Sequence, residues 1–163
     1  MKANEHLISY EISEEADGMK VVSIKANAFE KEGCYDITLP ESIEYIEPLA
    51  FAGCISLENI TLPKNLKFLG VASFILCNSL KNITVDCPNL ICEAPVFRSC
   101  NAENVFLNFR TISSSMISSF RNIENLTFGD DVVKIGTLCA NSKFMEDYNY
   151  TILETVKFIT CKV

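Results

Sequence analysis

The side chains with the most chemistry in this sequence are eight cysteines and a single histidine. A thiol beside an imidazole is the minimum for nucleophilic catalysis. His6, however, stands in an N-terminal strip with no Cys, Ser or Asp at a meaningful spacing, and reads as a solvated terminal residue. Zinc ligands arrive as closely spaced pairs. There is no Cys-x-x-Cys, and the closest pair, Cys87 and Cys92, has four residues between. Carboxylates cluster at Glu11/Glu14/Glu15/Asp17, Glu41/Glu44/Glu47, Asp130/Asp131 and Glu146/Asp147. None has the loop spacing of a calcium motif, and no glycine-rich phosphate loop appears. These clusters read as solvated surface. The expectation is a chain with no catalytic residue, no cofactor and no metal.

Composition narrows the classes further. The chain has 163 residues, with 14 Lys+Arg against 21 Asp+Glu for a net charge of −7. Phosphate contacts need clustered cations, so nucleic acid is excluded as a partner. Hydrophobic residues make up 48% and charged residues 21%, the balance of a single folded domain. The N-terminus, MKANEHLISYEISEEADG, lacks the apolar stretch of a secretory leader. The longest nearly uncharged run, Phe68 to Cys77, is about half of the roughly 20 residues a membrane span needs. The expectation is a cytoplasmic protein if the chain is complete, and a surface or secreted one if it is trimmed.

What must position these residues is an internal repeat. Ala50-Phe51-x-x-Cys54-x-x-Leu57-x-x-Ile60-Thr61-Leu62-Pro63 recurs as Ser73-Phe74-x-x-Cys77-x-x-Leu80-x-x-Ile83-Thr84-Val85. After an equal step comes Val96-Phe97-x-x-Cys100, with Val105 and Leu107 following one residue early. Upstream, Ala28-Phe29, Cys34 and Ile37-Thr38-Leu39-Pro40 keep the pattern with altered internal spacing. Downstream, Met116-Ile117-x-x-Phe120-x-x-Ile123-x-x-Leu126 places Phe120 at the cysteine position, and a last copy ends in Leu153-x-x-Val156-x-Phe158. A second apolar pair repeats between them at Ile43/Ile46, Leu66/Leu69 and Val132/Ile135, giving about six coils.

A unit this short cannot bury its apolar residues alone, so coils must stack and share a core. The alternation in Ile60-Thr61-Leu62 is that of a strand with Thr61 outward. Stacked copies make a parallel sheet on one face, with turns or short helical segments on the other. Pro40-Glu41-Ser42, Pro63-Lys64-Asn65 and Gly129-Asp130-Asp131 supply the turns. Cys34, Cys54, Cys77 and Cys100 then share one column as small core filler. Cys92 falls where Ile46 and Leu69 sit, and Cys139 where Ala50 and Ser73 sit. Rungs about 4.8 Å apart exceed the roughly 3.8 Å between Cβ atoms that a disulfide prefers, so these thiols should be free. Cys87 and Cys161 lie outside the columns and are the expected reactive thiols.

These columns resemble the BspA-like leucine-rich repeats, closely over residues 24–100 and loosely to 163, with Gly70 and Gly136 at the family's glycine position. The resemblance implies a β-rich leucine-rich-repeat solenoid coiled as a right-handed superhelix, and an interaction module linked to adhesion or protein binding. The implied organisation is an N-terminal capping segment, 1–20, followed by the solenoid, 21–163. Coils five and six lose the family's Phe and Cys. About six extra residues between Ala140 and Leu153 form an insertion loop near 141–152, carrying Phe144, Met145, Tyr148 and Tyr150. The expectation from the last residues, Phe158-Ile159-Thr160-Cys161-Lys162-Val163, is a final strand with no C-terminal cap after it.

The exposed strand column is the candidate binding surface. Its outward residues are Thr38, Thr61, Thr84, Phe106, Thr127 and Lys157, flanked by Asn59, Asn82, Asn104 and Asn125. Thr suits any exposed strand, whereas Phe106 is either a locally packed ring or an anchor for a partner. Phe106, Asn104, Thr84 and Thr127, with Tyr148 in the loop, form the expected partner-binding set. A second ladder, Tyr45 and Phe68 on the return segment, reads as mutual packing. The sequons at Asn59, Asn82 and Asn125 are by-products of the repeat, and Asn149 carries a fourth. The functional expectation is a non-catalytic module for a protein partner. The alternative is an assembly unit that self-associates through its uncapped C-terminal coil.

Overall fold

In the computed structural model the described residues are 8–93, 95–117, 120 and 123–135. The strands in chain order are β1 (Ile8–Glu11), β2 (Glu15–Ala16), β3 (Met19–Lys20), β4 (Ser23–Ile24), β5 (Cys34–Thr38), β6 (Tyr45–Ile46) and β7 (Asn59–Thr61). They continue as β8 (Phe68–Leu69), β9 (Asn82–Asp86), β10 (Ile91–Cys92), β11 (Asn104–Asn108), β12 (Thr111–Ile112), β13 (Asn125–Phe128) and β14 (Lys134–Ile135). A single helical turn, α1 (Ser114–Ile117), lies between β12 and β13.

The outward Thr and inward Ile of each repeat fall where alternation requires. β7, β9, β11 and β13 form one parallel sheet with Ile60, Ile83, Val105 and Leu126 in register and buried. The opposite side is not only turns. Its two-residue strands form a second parallel ladder, β4-β6-β8-β10, which places Ile24, Ile46, Leu69 and Cys92 in register. Each of these rungs has two paired residues, of which the second, Ile24, Ile46, Leu69 or Cys92, turns toward the core. β12 and β14 pair likewise. The result is a β-solenoid of stacked parallel strands with little helix.

The third side is the Ala-Phe-x-x-Cys segment. Phe29, Phe51, Phe74, Phe97 and Phe120 stack face to face, with centroids 5.1, 4.9, 5.3 and 5.4 Å apart. Tyr10 closes the column edge-on to Phe29 at 5.3 Å and 67°. Phe51, Phe74 and Phe97 are fully buried. Phe120 therefore belongs to the phenylalanine column and not the cysteine column, and coil five keeps its ring. Phe120 follows Phe97 by the same step that separates Phe74 from Phe97, whereas Leu126 follows Val105 by a shorter one. Coil five drops residues between ring and strand, so counting back from the strand shifts the frame.

Close stacking fixes Gly70 against the backbone of the preceding coil. A Cβ on Gly70 would lie 2.5 Å from the Pro48 nitrogen and 2.8 Å from the Glu47 carbonyl carbon, so the coil below leaves no room for a side chain. At the N-terminal side, β2 and β3 form a hairpin whose turn residues Asp17 and Gly18 have φ of 52° and 73°. That is the left-handed pair a tight two-residue hairpin needs.

The strand face is not continuous. β5 pairs in parallel with β1, and this pair is separate from the four-stranded sheet that begins at β7. Cys34 begins β5 itself, close before Ile37, whereas Cys54 and Cys77 stand well ahead of Ile60 and Ile83. Coil one thus lacks the turn that buries Leu57 and Leu80, and β5 enters its rung by a different path.

Candidate binding surface

On the strand face the expected residues come together. Thr61, Thr84, Phe106 and Thr127 lie in one cross-strand register, and Asn59, Asn82, Asn104 and Asn125 in another. Phe106 is half-buried between Thr84 and Thr127. Tyr148, the 141–152 loop, Lys157 and the C-terminal coil lie outside the described residues, as do His6, Gly136, Cys139 and Cys161.

The asparagines do more than flank the stripe. Asn82 Nδ2 donates to Asn59 Oδ1 at 2.6 Å, Asn104 Nδ2 to Asn82 Oδ1 at 2.8 Å, and Asn125 Nδ2 to Asn104 Oδ1 at 2.8 Å. Four exposed amides thus form a continuous hydrogen-bonded ladder along the sheet. A column of identical amides at one strand spacing is the sequence signal for it.

Members of two acidic clusters, Glu41/Glu44/Glu47 and Asp130/Asp131, tie rungs together, whereas Glu146/Asp147 lie outside the described residues. Glu44 Oε2 pairs with Lys67 Nζ at 2.6 Å, and Glu47 Oε1 with Lys25 Nζ at 2.7 Å. Glu47 Oε2 also accepts the Ala26 N–H at 3.0 Å. The Lys25 ammonium and then the Ala26 amide hold the Glu47 carboxyl below the usual carboxylate range. Farther along, Asn108 is buried, and its Nδ2 donates to Asp86 Oδ1 at 2.7 Å and Asp131 Oδ2 at 3.0 Å. The Asp131 N–H donates back to Asn108 Oδ1 at 2.9 Å. Among the described residues no three metal-capable side chains converge.

The six cysteines among the described residues are free thiols. Three of the column donate S–H to the phenylalanine carbonyl of the preceding coil: Cys54 to Phe29 at 3.1 Å, Cys77 to Phe51 at 3.2 Å, and Cys100 to Phe74 at 3.1 Å. Each thiol therefore satisfies a backbone acceptor as well as filling space. Cys87 corrects the sequence reading. It lies outside the columns, yet it is fully buried and donates to the Pro63 carbonyl at 3.2 Å. Burial, with the Asp86 carboxylate beside it, pushes its thiol up to about 12, which disfavours the nucleophilic thiolate. Cys92 is the one described cysteine that is not fully buried, and burial still raises it to about 12.

On the return sheet Tyr45, Phe68 and Ile91 stand in register, Tyr45 at 41% and Ile91 at 67% exposure. This is an apolar strip open to solvent over part of its length.

A leucine-rich repeat protein from Bacteroides ovatus matches with a TM-score of 0.61 at 16% identity, over 91% of this chain and 46% of that one. A leucine-rich cell surface protein from Faecalibacterium prausnitzii matches with a TM-score of 0.48 at 23% identity, over 79% of this chain and 37% of that one. The chain thus spans less than half the length of these two structures. No curated protein matches it. In the described part of the chain no helix is long and apolar enough to cross a membrane. The BspA-type leucine-rich repeat model matches residues 22–146 in six copies. With six repeat copies over most of its length and five of its rings in one stack, the chain belongs to the BspA-type leucine-rich repeat family.

Proposed function

We propose that this chain is a non-catalytic recognition module that presents the strand face around Phe106 to a protein partner, in an adhesive or surface-recognition setting. The observation that carries the reading is the half-buried ring of Phe106 in a stripe otherwise made of Thr. Thr84 and Thr127 stand directly beside it, and Asn104 belongs to the amide ladder next to it. An aromatic side chain framed by small polar residues is the composition of an interface anchor. The amide ladder ties four neighbouring side chains to one another, so less side-chain entropy is lost on docking. Tyr148 is a further proposed contact from the 141–152 loop, and residues 1–20 are proposed to cap the N-terminal end.

The test uses displayed peptides selected on the wild-type chain, then measured against Phe106→Ala and Asn104→Ala. The expected result is a loss of about tenfold or more in affinity for Phe106→Ala, with the melting temperature nearly unchanged. Selected peptides that bind Phe106→Ala as tightly as wild type would remove this face from the function.

A further inference from the structure

The sheet is split between β5 and β7, and the split is a cleft of about 310 Å³ on the strand face. Its lower walls are apolar, with Ile37 and Leu62 buried beneath it. Its rim carries the carboxylates of Asp36 and Glu41 and the hydroxyls of Thr38 and Thr61. Among the described residues no cationic side chain lines it. Glu41 Oε2 accepts the Lys64 N–H at 3.1 Å, while Asp36 makes no ion pair among the described residues.

From this geometry we infer that the cleft receives an arginine side chain of the protein partner. The inference rests on the strand face being the binding face, as proposed above. An arginine is apolar along its stem and charged at its planar tip, so it matches a pocket with an apolar floor and an acceptor-rich rim. Its five N–H donors can be shared between a carboxylate and the threonine hydroxyls. The protein's net charge of −7 adds long-range attraction for such a partner. Thr61 and Phe106 are two rungs apart through Thr84, about 10 Å at the spacing of parallel strands. A partner segment crossing the strands as a polyproline II helix has three residues per turn at about 3.1 Å each, so side chains three apart share one face and span that distance. The recognised pattern is therefore an arginine three positions from an apolar residue.

The test is a titration of the full chain with N-acetyl-arginine amide, followed by amide correlation spectra, with the neutral isostere N-acetyl-citrulline amide in parallel. Shifts confined to residues 36–41 and 59–63, saturating at millimolar concentration and absent with citrulline, are expected. Asp36→Asn should weaken them about fivefold or more. This variant exchanges one exposed polar side chain for another of nearly equal size, so the fold should tolerate it. Equal shifts from both compounds, shifts spread over the surface, or an unaltered response in Asp36→Asn would each overturn the assignment. If arginine fails here while selected peptides still depend on Phe106, the cleft is not a subsite and the binding face stands. Peptides that ignore Phe106 would instead break the reading on which the cleft rests.

Discussion

The middle coils and the first coil are built from nearly the same residues and reach different results. From Phe51 to Cys100 the ring recurs at an even step, cysteine follows ring by three, and every column stacks. In the first coil Phe29 still stacks on Phe51, but Cys34 follows it by five and opens the strand directly. The aromatic column survives this change and the strand ladder does not. A stack of rings tolerates an offset, because centroid separations of about 4.5–7 Å are all favourable. Backbone pairing tolerates much less, since a small displacement takes N–H and C=O groups out of hydrogen-bonding range. Spacing errors therefore open the sheet before they open the core.

The largest test of this contrast is Phe74→Ala, which removes a fully buried ring from the centre of the stack. Its expected cost is about 3–5 kcal/mol. Tyr10→Ala, at the edge-on end of the same stack, should cost clearly less in the same denaturant titration. Equal losses would show that the middle is no better packed than the end. Gly70→Ala should come next, at about 1–3 kcal/mol, because its Cβ would collide with the backbone at Glu47 and Pro48. A neutral result in thermal unfolding would mean that neighbouring coils slide apart more easily than their geometry indicates.

Smaller effects sharpen the comparison along the amide ladder. Asn82 bonds to both neighbours, whereas Asn59, next to the split, bonds to one. Asn82→Ala should cost about 1 kcal/mol and Asn59→Ala about half of that, by chemical denaturation. Identical values would show that the ladder does not act as connected bonds. The smallest effect is electrostatic. The Glu47 carboxyl is held below its ordinary range by Lys25 and the Ala26 amide, so its stabilising contribution is present at neutral pH. It is lost as pH falls through the lowered value of the folded state. Wild type and Glu47→Gln should differ in melting temperature at neutral pH and converge in acid. A gap that widens toward acid would reverse that sign.

Much of the architecture is legible because the columns repeat. Ile60, Ile83 and Val105 announce the strand, and Phe51, Phe74 and Phe97 announce the ring column. Phe120 escapes this reading because its coil lacks residues between ring and strand, and only the stacked ring reveals which column it joins. Cys87 reads as a reactive thiol because it lies outside the periodic positions, and its burial beside the Pro63 carbonyl is a property of the folded turn. The four outward asparagines are visible as a flank. Their mutual bonding depends on strand register, which spacing suggests but does not fix. The cleft between β5 and β7 is hidden entirely, since it arises from two strands failing to pair.

Tyr10 has one more consequence. Rings lying flat on one another set no limit to their own number, because each new member offers a fresh face to the next. The 11° and 12° between the planes of Phe29, Phe51 and Phe74 leave that option open, whereas the 67° tilt of Tyr10 spends the last face on a ring edge. Beyond Phe29 a further ring repeats a contact already present, whereas against the edge of Tyr10 a flat ring needs a contact of another kind.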